Sequence, residues 1–207
     1  MIWPWIALAL LGAWHGLNPG MGWLFAVSRG LQEQRGGAVA AALPPIALGH
    51  ALAIGLALAV LAVGQAALPA TGLRWATAAI VIGFGALKLV RHRHPRWVGM
   101  RVGFAGLLFW SFLMATAHGA GLMLVPLFVM GAADPSCHAQ AGLSLRGPLG
   151  YVGATVVHTG AMLLVTGAIA LVVYYRVGLA VLRRAWFNVD WLWALALIIS
   201  GAAAALA

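Results

Sequence analysis

Six stretches of this chain are each long enough to cross a bilayer and carry almost no charge, and that pattern decides the solvent. They run Ile2 to Ser28, Ala38 to Val63, Leu73 to Val90, Val102 to Met130, Pro148 to Tyr175 and Val189 to Leu206. About 20 apolar residues in a helix span the hydrocarbon layer. The 207 residues carry only 12 Lys and Arg and 3 Asp and Glu, against 64% hydrophobic residues. A soluble domain needs roughly 25% charged residues to cover its outside. A soluble enzyme, a disordered tail and a disulfide scaffold are therefore excluded. The sequence predicts an all-α, polytopic membrane protein of about six transmembrane helices in one domain, 1–207.

The net charge of +9 does not indicate a nucleic-acid partner, because the basic residues sit in short gaps between apolar runs and form no stripe. Their distribution sets orientation instead. Ten of the 12 fall in alternate gaps: Arg29 and Arg35; Lys88, Arg91, Arg93, Arg96 and Arg101; Arg176, Arg183 and Arg184. Only Arg74 and Arg146 lie on the other side. The expectation is a bacterial inner-membrane protein with both termini on the periplasmic side. The first run lacks a basic leader and reads as a span, not a cleaved signal peptide. Cys137 is the single cysteine, so no disulfide forms within the chain.

The two halves, about 1–90 and 102–207, repeat one another. His15-Gly16 and His118-Gly119 are each followed at equal spacing by Leu-Phe, as Leu24-Phe25 and Leu127-Phe128. The second run holds His50 and the fifth His158. The third holds Trp75 and Gly83, and the sixth Trp193 and Gly201 at the same separation. Three spans per half is an odd number, so the halves are expected to be inverted repeats, an arrangement that places a site near the midplane where they meet.

Four histidines, His15, His50, His118 and His158, fall inside spans. An ionisable side chain there is expensive and normally faces the bundle interior. One such residue is ordinarily interhelical glue. Four, paired by the repeat, point to a shared site, because neutral imidazole is a common metal ligand and relays protons near neutral pH. Met114 precedes His118 by four residues and Met162 follows His158 by four, so each pair shares a helix face. Met21 follows His15 across Asn18-Pro19-Gly20, where Pro19 removes a donor and disfavours helix at Asn18. Thioethers suit soft ions such as Cu(I), yet methionine also packs well in any apolar core. The carbonyls freed at the break, with the Asn18 amide, either line a cation path or are satisfied by neighbouring helices. Pro44-Pro45 predicts a second kink or partial unwinding. His92 and His94 belong to a basic run that meets anionic lipid. Asp134, Cys137 and His138 share the longest outer loop, as a weaker metal-capturing group. No P-loop, no nucleophile elbow and no zinc-protease motif is present.

The stretch Gly12-Ala13-Trp14-His15-Gly16-Leu17-Asn18-Pro19-Gly20-Met21-Gly22 resembles the His-x-x-x-Pro-Gly-His-Gly motif of nickel/cobalt transporters of the NicO/RcnA type. Leu48-Gly49-His50-Ala51-Leu52 is similar to their histidine-bearing second helix. The resemblance covers roughly residues 10 to 60. It implies a LysE-like class of six-helix membrane protein in which His15, Asn18 and His50 contact the ion. Met21 stands where the family has its second histidine, which bears on metal preference.

Together these readings predict a permease, not an enzyme, for a transition-metal cation such as nickel, cobalt or copper. Its ligands would be His15, His50, His118 and His158, with Asn18, Met21, Met114 and Met162 as further contacts. Two alternatives stay open. Histidines on neighbouring helices also hold haem b in electron-transfer proteins. A non-catalytic subunit or assembly factor would use the histidines as glue and the tryptophans as anchors against other membrane subunits or a second copy.

Overall fold

The structure, a computed structural model, describes residues 2–90, 102–133, 147–177 and 190–206, with no side-chain detail for 130–133, 190 and 191. His92, His94, Asp134, Cys137, His138, Arg146, Arg183 and Arg184 lie outside the described residues, as does the side chain of Asp190. Every element among the described residues is helical. They are α1 (Trp3–Leu17), a 3-10 turn (Pro19–Met21), α2 (Trp23–Glu33), α3 (Gly36–Ala67), α4 (Ala70–Val90), α5 (Phe104–His118), α6 (Ala120–Ala133), α7 (Gly147–Val172, continued by a π turn at Val173–Val177) and α8 (Asp190–Leu206).

Three of these helices are long and apolar enough to cross a membrane by themselves: α3, α4, and α7 with its π turn. The α5–α6 pair is bent by 52° and counts as a fourth if taken as one span. α1, α2 and α8 are each shorter. The first predicted run is thus divided between α1 and α2, broken at Asn18 as Pro19 requires. The fourth is divided at Gly119, a break that carries no proline. Gly119 has φ +72°, a left-handed conformation that glycine adopts without a Cβ penalty. Pro44 and Pro45, in contrast, do not unwind their helix. α3 runs through both, and the Ser111 hydroxyl of α5 donates to the Ile46 carbonyl just beyond them at 2.7 Å. The carbonyls that lose their donors to these prolines are those of Ala40 and Ala41, one turn earlier on an exposed face of the helix.

The most extensive packing is between α4 and α8, α1 and α7, and α3 and α5, with α3 also against α7. Glycines permit the close approaches. A Cβ on Gly12 would overlap the His158 backbone carbonyl, and one on Gly49 the Leu108 carbonyl. Gly85 of α4 faces Ala194, Leu197 and Ile198, and Gly201 of α8 faces Ala78 and Ile82. These contacts are reciprocal at a separation of 116 residues, which pairs Gly85 with Gly201, Ala78 with Ala194 and Ile82 with Ile198. The sequence pairing of Trp75 with Trp193 and Gly83 with Gly201 differs from this contact pairing by two residues. Burial agrees with the contact pairing: Trp75 is 56% exposed, whereas Trp193 is 1% exposed.

The charged side chains among the described residues lie towards the two ends of the bundle. At one end, Gly30 and Gly36 meet Tyr174 and Tyr175, so the α2–α3 turn lies beside the end of α7. Arg29, Arg35 and Arg176 belong to these segments. Hydrogen bonds from Arg29 and then Arg35 to the exposed Glu33 hold its carboxyl below the usual range. At the other end, the Tyr151 hydroxyl donates to Gln65, and Arg74 stands in the first turns of α4.

Candidate functional site

The break after α1 is built locally. Asn18 takes extended dihedrals (φ −70°, ψ 124°), as a residue before proline must, and its Oδ1 accepts from the Gly20 N–H at 2.9 Å. Gly22 follows at φ +118° and starts α2, with the Ile46 side chain packed where a Cβ would stand. Three carbonyls at the end of α1 find protein donors. His15 O accepts from Asn18 N at 3.1 Å, Gly16 O from the Thr166 hydroxyl at 3.4 Å, and Leu17 O from the Trp23 indole at 3.2 Å. The carbonyls thus follow the second of the two sequence readings: neighbours satisfy them. The Asn18 Nδ2, buried, has no protein acceptor.

The break positions His15 two residues before the end of α1, where it meets His50 of α3 and His158 of α7. Ring centroids are 4.9 Å apart for His15 and His158, 5.6 Å for His15 and His50, and 5.5 Å for His50 and His158, the last two rings being stacked at 2°. All three side chains are fully buried. His15 Nδ1 lies 2.9 Å from the Leu11 carbonyl and His158 Nδ1 lies 3.2 Å from the Leu8 carbonyl. A carbonyl only accepts, so Nδ1 carries the proton in each and Nε2 keeps its lone pair. This backbone support is the usual means of orienting a ligating imidazole. Among the described residues neither Nε2 has a protein partner, and neither ring nitrogen of His50 has one. An unmatched buried polar atom costs about 1–3 kcal/mol. Among the described residues, no three His, Cys, Asp or Glu side chains stand ready-placed around a single metal position.

His118 enters the site by another route. It ends α5 and donates from Nδ1 to the Met114 carbonyl at 2.8 Å, the same i−4 bond that His15 makes to Leu11. Its ring lies 6.4 Å from the Trp193 indole, which in turn lies 4.3 Å from His15. Trp193 of α8 is marked in the sequence by its repeat pairing with Trp75 but not as a site residue, because tryptophan in a membrane helix ordinarily reads as an interfacial anchor. Met114 and His118 border Gly20: a Cβ there would lie 3.2 Å from Met114 Cε and 3.5 Å from His118 Cε1. Met162, fully buried, belongs to the apolar core, and its sulfur lies 3.3 Å from the Thr166 hydroxyl, sharing that one proton with the Gly16 carbonyl. Met21 is buried in the turn itself. Histidines 15, 50 and 158 thus converge directly, and His118 with Met114 adjoins the break.

Comparison with known proteins finds no family model that matches this chain, no similar curated protein and no similar solved structure.

Proposed function

We propose that the chain is a membrane permease, built from two inverted three-helix halves that together make six spans. Three features support the repeat. The Gly85 and Gly201 contacts are reciprocal. His15 and His118 make the same bond immediately before a helix break. Exchanging the halves also converts the α1–α7 packing into the α5–α3 packing. Segregation of Arg29, Arg35 and Arg176 from Arg74 favours a bacterial inner-membrane orientation with both termini outside.

Within that class, the cargo we propose is a transition-metal cation. The observation that carries this is the cluster of three buried histidines in which, among the described residues, the Nε2 of His15 and of His158 and both ring nitrogens of His50 have no protein partner. Lone pairs on His15 and His158 are held in a fixed tautomer, and His50 supplies a third donor. The ion would draw these rings inward by a small rotation of each side chain. Asn18, with Oδ1 spent on the turn, offers an amide N–H to water retained on the ion. His118 and Met114, which border the break at Gly20, are the contacts we assign beside this point, with Met21 packed in the turn and Met162 in the core behind it. Ligation needs neutral imidazole, so protonation releases the cation. A haem-b reading is not favoured, because the three rings contact one another directly and leave no width for a macrocycle between them.

Proteoliposomes enclosing a metal-sensitive dye test the proposal. Wild-type protein is expected to pass nickel, cobalt, copper or zinc, and His15→Ala to lose at least nine-tenths of that flux while still inserting. Wild-type flux in both His15→Ala and His50→Ala would contradict it.

A further inference from the structure

The histidine cluster departs from the symmetry of its two halves at one hydrogen bond. Leu8, Leu11 and His15 of α1 correspond to Ser111, Met114 and His118 of α5, at a separation of 103 residues. His50 of α3 corresponds to His158 of α7, at a separation of 108. The bonds within each half are matched: His15 Nδ1 lies 2.9 Å from the Leu11 carbonyl and His118 Nδ1 lies 2.8 Å from the Met114 carbonyl. The bonds between the halves are not. His158 Nδ1 donates to the Leu8 carbonyl at 3.2 Å. Its mate would run from His50 Nδ1 to the Ser111 carbonyl, yet His50 Nδ1 has no partner among the described residues.

The residues of that unmade bond are already neighbours. The Ser111 hydroxyl donates to the Ile46 carbonyl, one turn before His50, and a Cβ on Gly49 would lie 2.9 Å from Ser111 Cβ. His15 stands against both rings of the stacked His50–His158 pair, at 5.6 and 4.9 Å. Its mate His118 lies 6.4 Å from the Trp193 indole, which lies 4.3 Å from His15. At the 116-residue separation of the α4–α8 contacts, the mate of Trp193 is the smaller Thr77, so the indole contact favours the arrangement built on His15. Two halves that can exchange conformations define a second arrangement, and movement of one half against the other is how inverted repeats expose a midplane site to either side of a membrane.

We propose a second binding arrangement for the same transition-metal cation, in which His118 takes the place of His15 against His50 and His158. His50 Nδ1 then donates to the Ser111 carbonyl, which fixes its tautomer and leaves Nε2 to the ion, as the Leu8 carbonyl does for His158 here. The inference rests on the permease reading and its inverted halves. His50 and His158 serve both arrangements, and His15 and His118 are the ligands that distinguish them.

Equilibrium retention and flux separate the two arrangements. Purified protein is equilibrated with a mixture of nickel, cobalt, copper and zinc, and retained metal is measured by elemental analysis. Flux of the retained metal is then measured in proteoliposomes. His118→Asn keeps a side-chain N–H for the Met114 carbonyl and removes the imidazole. It is expected to retain metal as the wild type does, through His15, His50 and His158, and to lose at least nine-tenths of the flux. His15→Ala is expected to retain metal weakly, and His15→Ala/His118→Asn to retain none. Wild-type flux in His118→Asn would overturn the proposal. Loss of retention in that variant would overturn it too, by placing His118 in the same arrangement as His15. X-ray absorption of the metal held by His15→Ala reads the second arrangement with His118 intact. Three imidazoles are expected, and two or fewer, or no metal at all, would overturn it. Negligible metal in the wild type contradicts the cation reading itself, whereas wild-type retention and flux in His118→Asn contradict only the second arrangement.

Discussion

Gly85 and Gly201 stand in mirrored environments, each admitting an alanine and an isoleucine from the opposite helix: Ala194 and Ile198 for one, Ala78 and Ile82 for the other. A Cβ on Gly85 would come within 2.9 Å of the Ala194 carbonyl and one on Gly201 within 2.8 Å of Ile82 Cγ1. Gly85→Ala and Gly201→Ala are each expected to destabilise the protein by about 1–3 kcal/mol, the usual range for overpacking. Thermal denaturation in detergent measures this. Tolerance of alanine at both positions would contradict the reciprocal packing.

Gly12 does the same for the site that Gly85 does for the bundle. Its approach to the His158 backbone sets the separation of α1 from α7, and so of His15 from His158. Gly12→Ala is predicted to reduce metal retention at least tenfold with all four histidines still in place. Elemental analysis of the purified variant checks it, and wild-type retention would show that this spacing is unimportant.

His50 separates a ligand from glue. Both of its ring nitrogens lack protein partners, so an apolar side chain of similar size removes an unsatisfied group worth about 1–3 kcal/mol. His50→Leu is predicted to leave the thermal midpoint unchanged or raise it, while abolishing metal retention. A lowered midpoint with metal retention intact would favour the structural role and the subunit reading.

Trp23 caps the last carbonyl of α1 through its indole N–H. Trp23→Phe keeps the ring and loses that bond, for an expected cost of about 1 kcal/mol. Because the bond fixes the break beside His15, metal affinity should fall with stability. A hydrogen-exchange comparison of the α1–α2 break would localise the effect, and protection unchanged from wild type would contradict it.

Much of this architecture is legible in the sequence, and the exceptions have identifiable physical causes. Hydropathy marks the apolar runs because each helix must present apolar side chains to lipid on some face. The break at Asn18 is legible because Pro19 forbids helix before it. The break at Gly119 is not, since a glycine becomes a break only when packing demands positive φ, and glycine is abundant in this chain. The contact register of α4 on α8 is not legible, because small residues determine how closely two helices approach and the matching tryptophans of the two runs do not report it. That Trp193 touches both His15 and His118, and that His15, His50 and His158 meet directly, depends on helix rotation about the bundle axis. Spacing within one helix carries no information about that rotation.

The central claim is that three buried histidines, each with at least one ring nitrogen unmatched among the described residues, form a cation site. Elemental analysis tests it most directly: purified protein is incubated with a mixture of nickel, cobalt, copper, zinc and iron, beside a His15→Ala/His50→Ala variant. Near-stoichiometric retention of one metal by the wild type, lost in the variant, is the predicted result. Equal, negligible metal in both samples would contradict it.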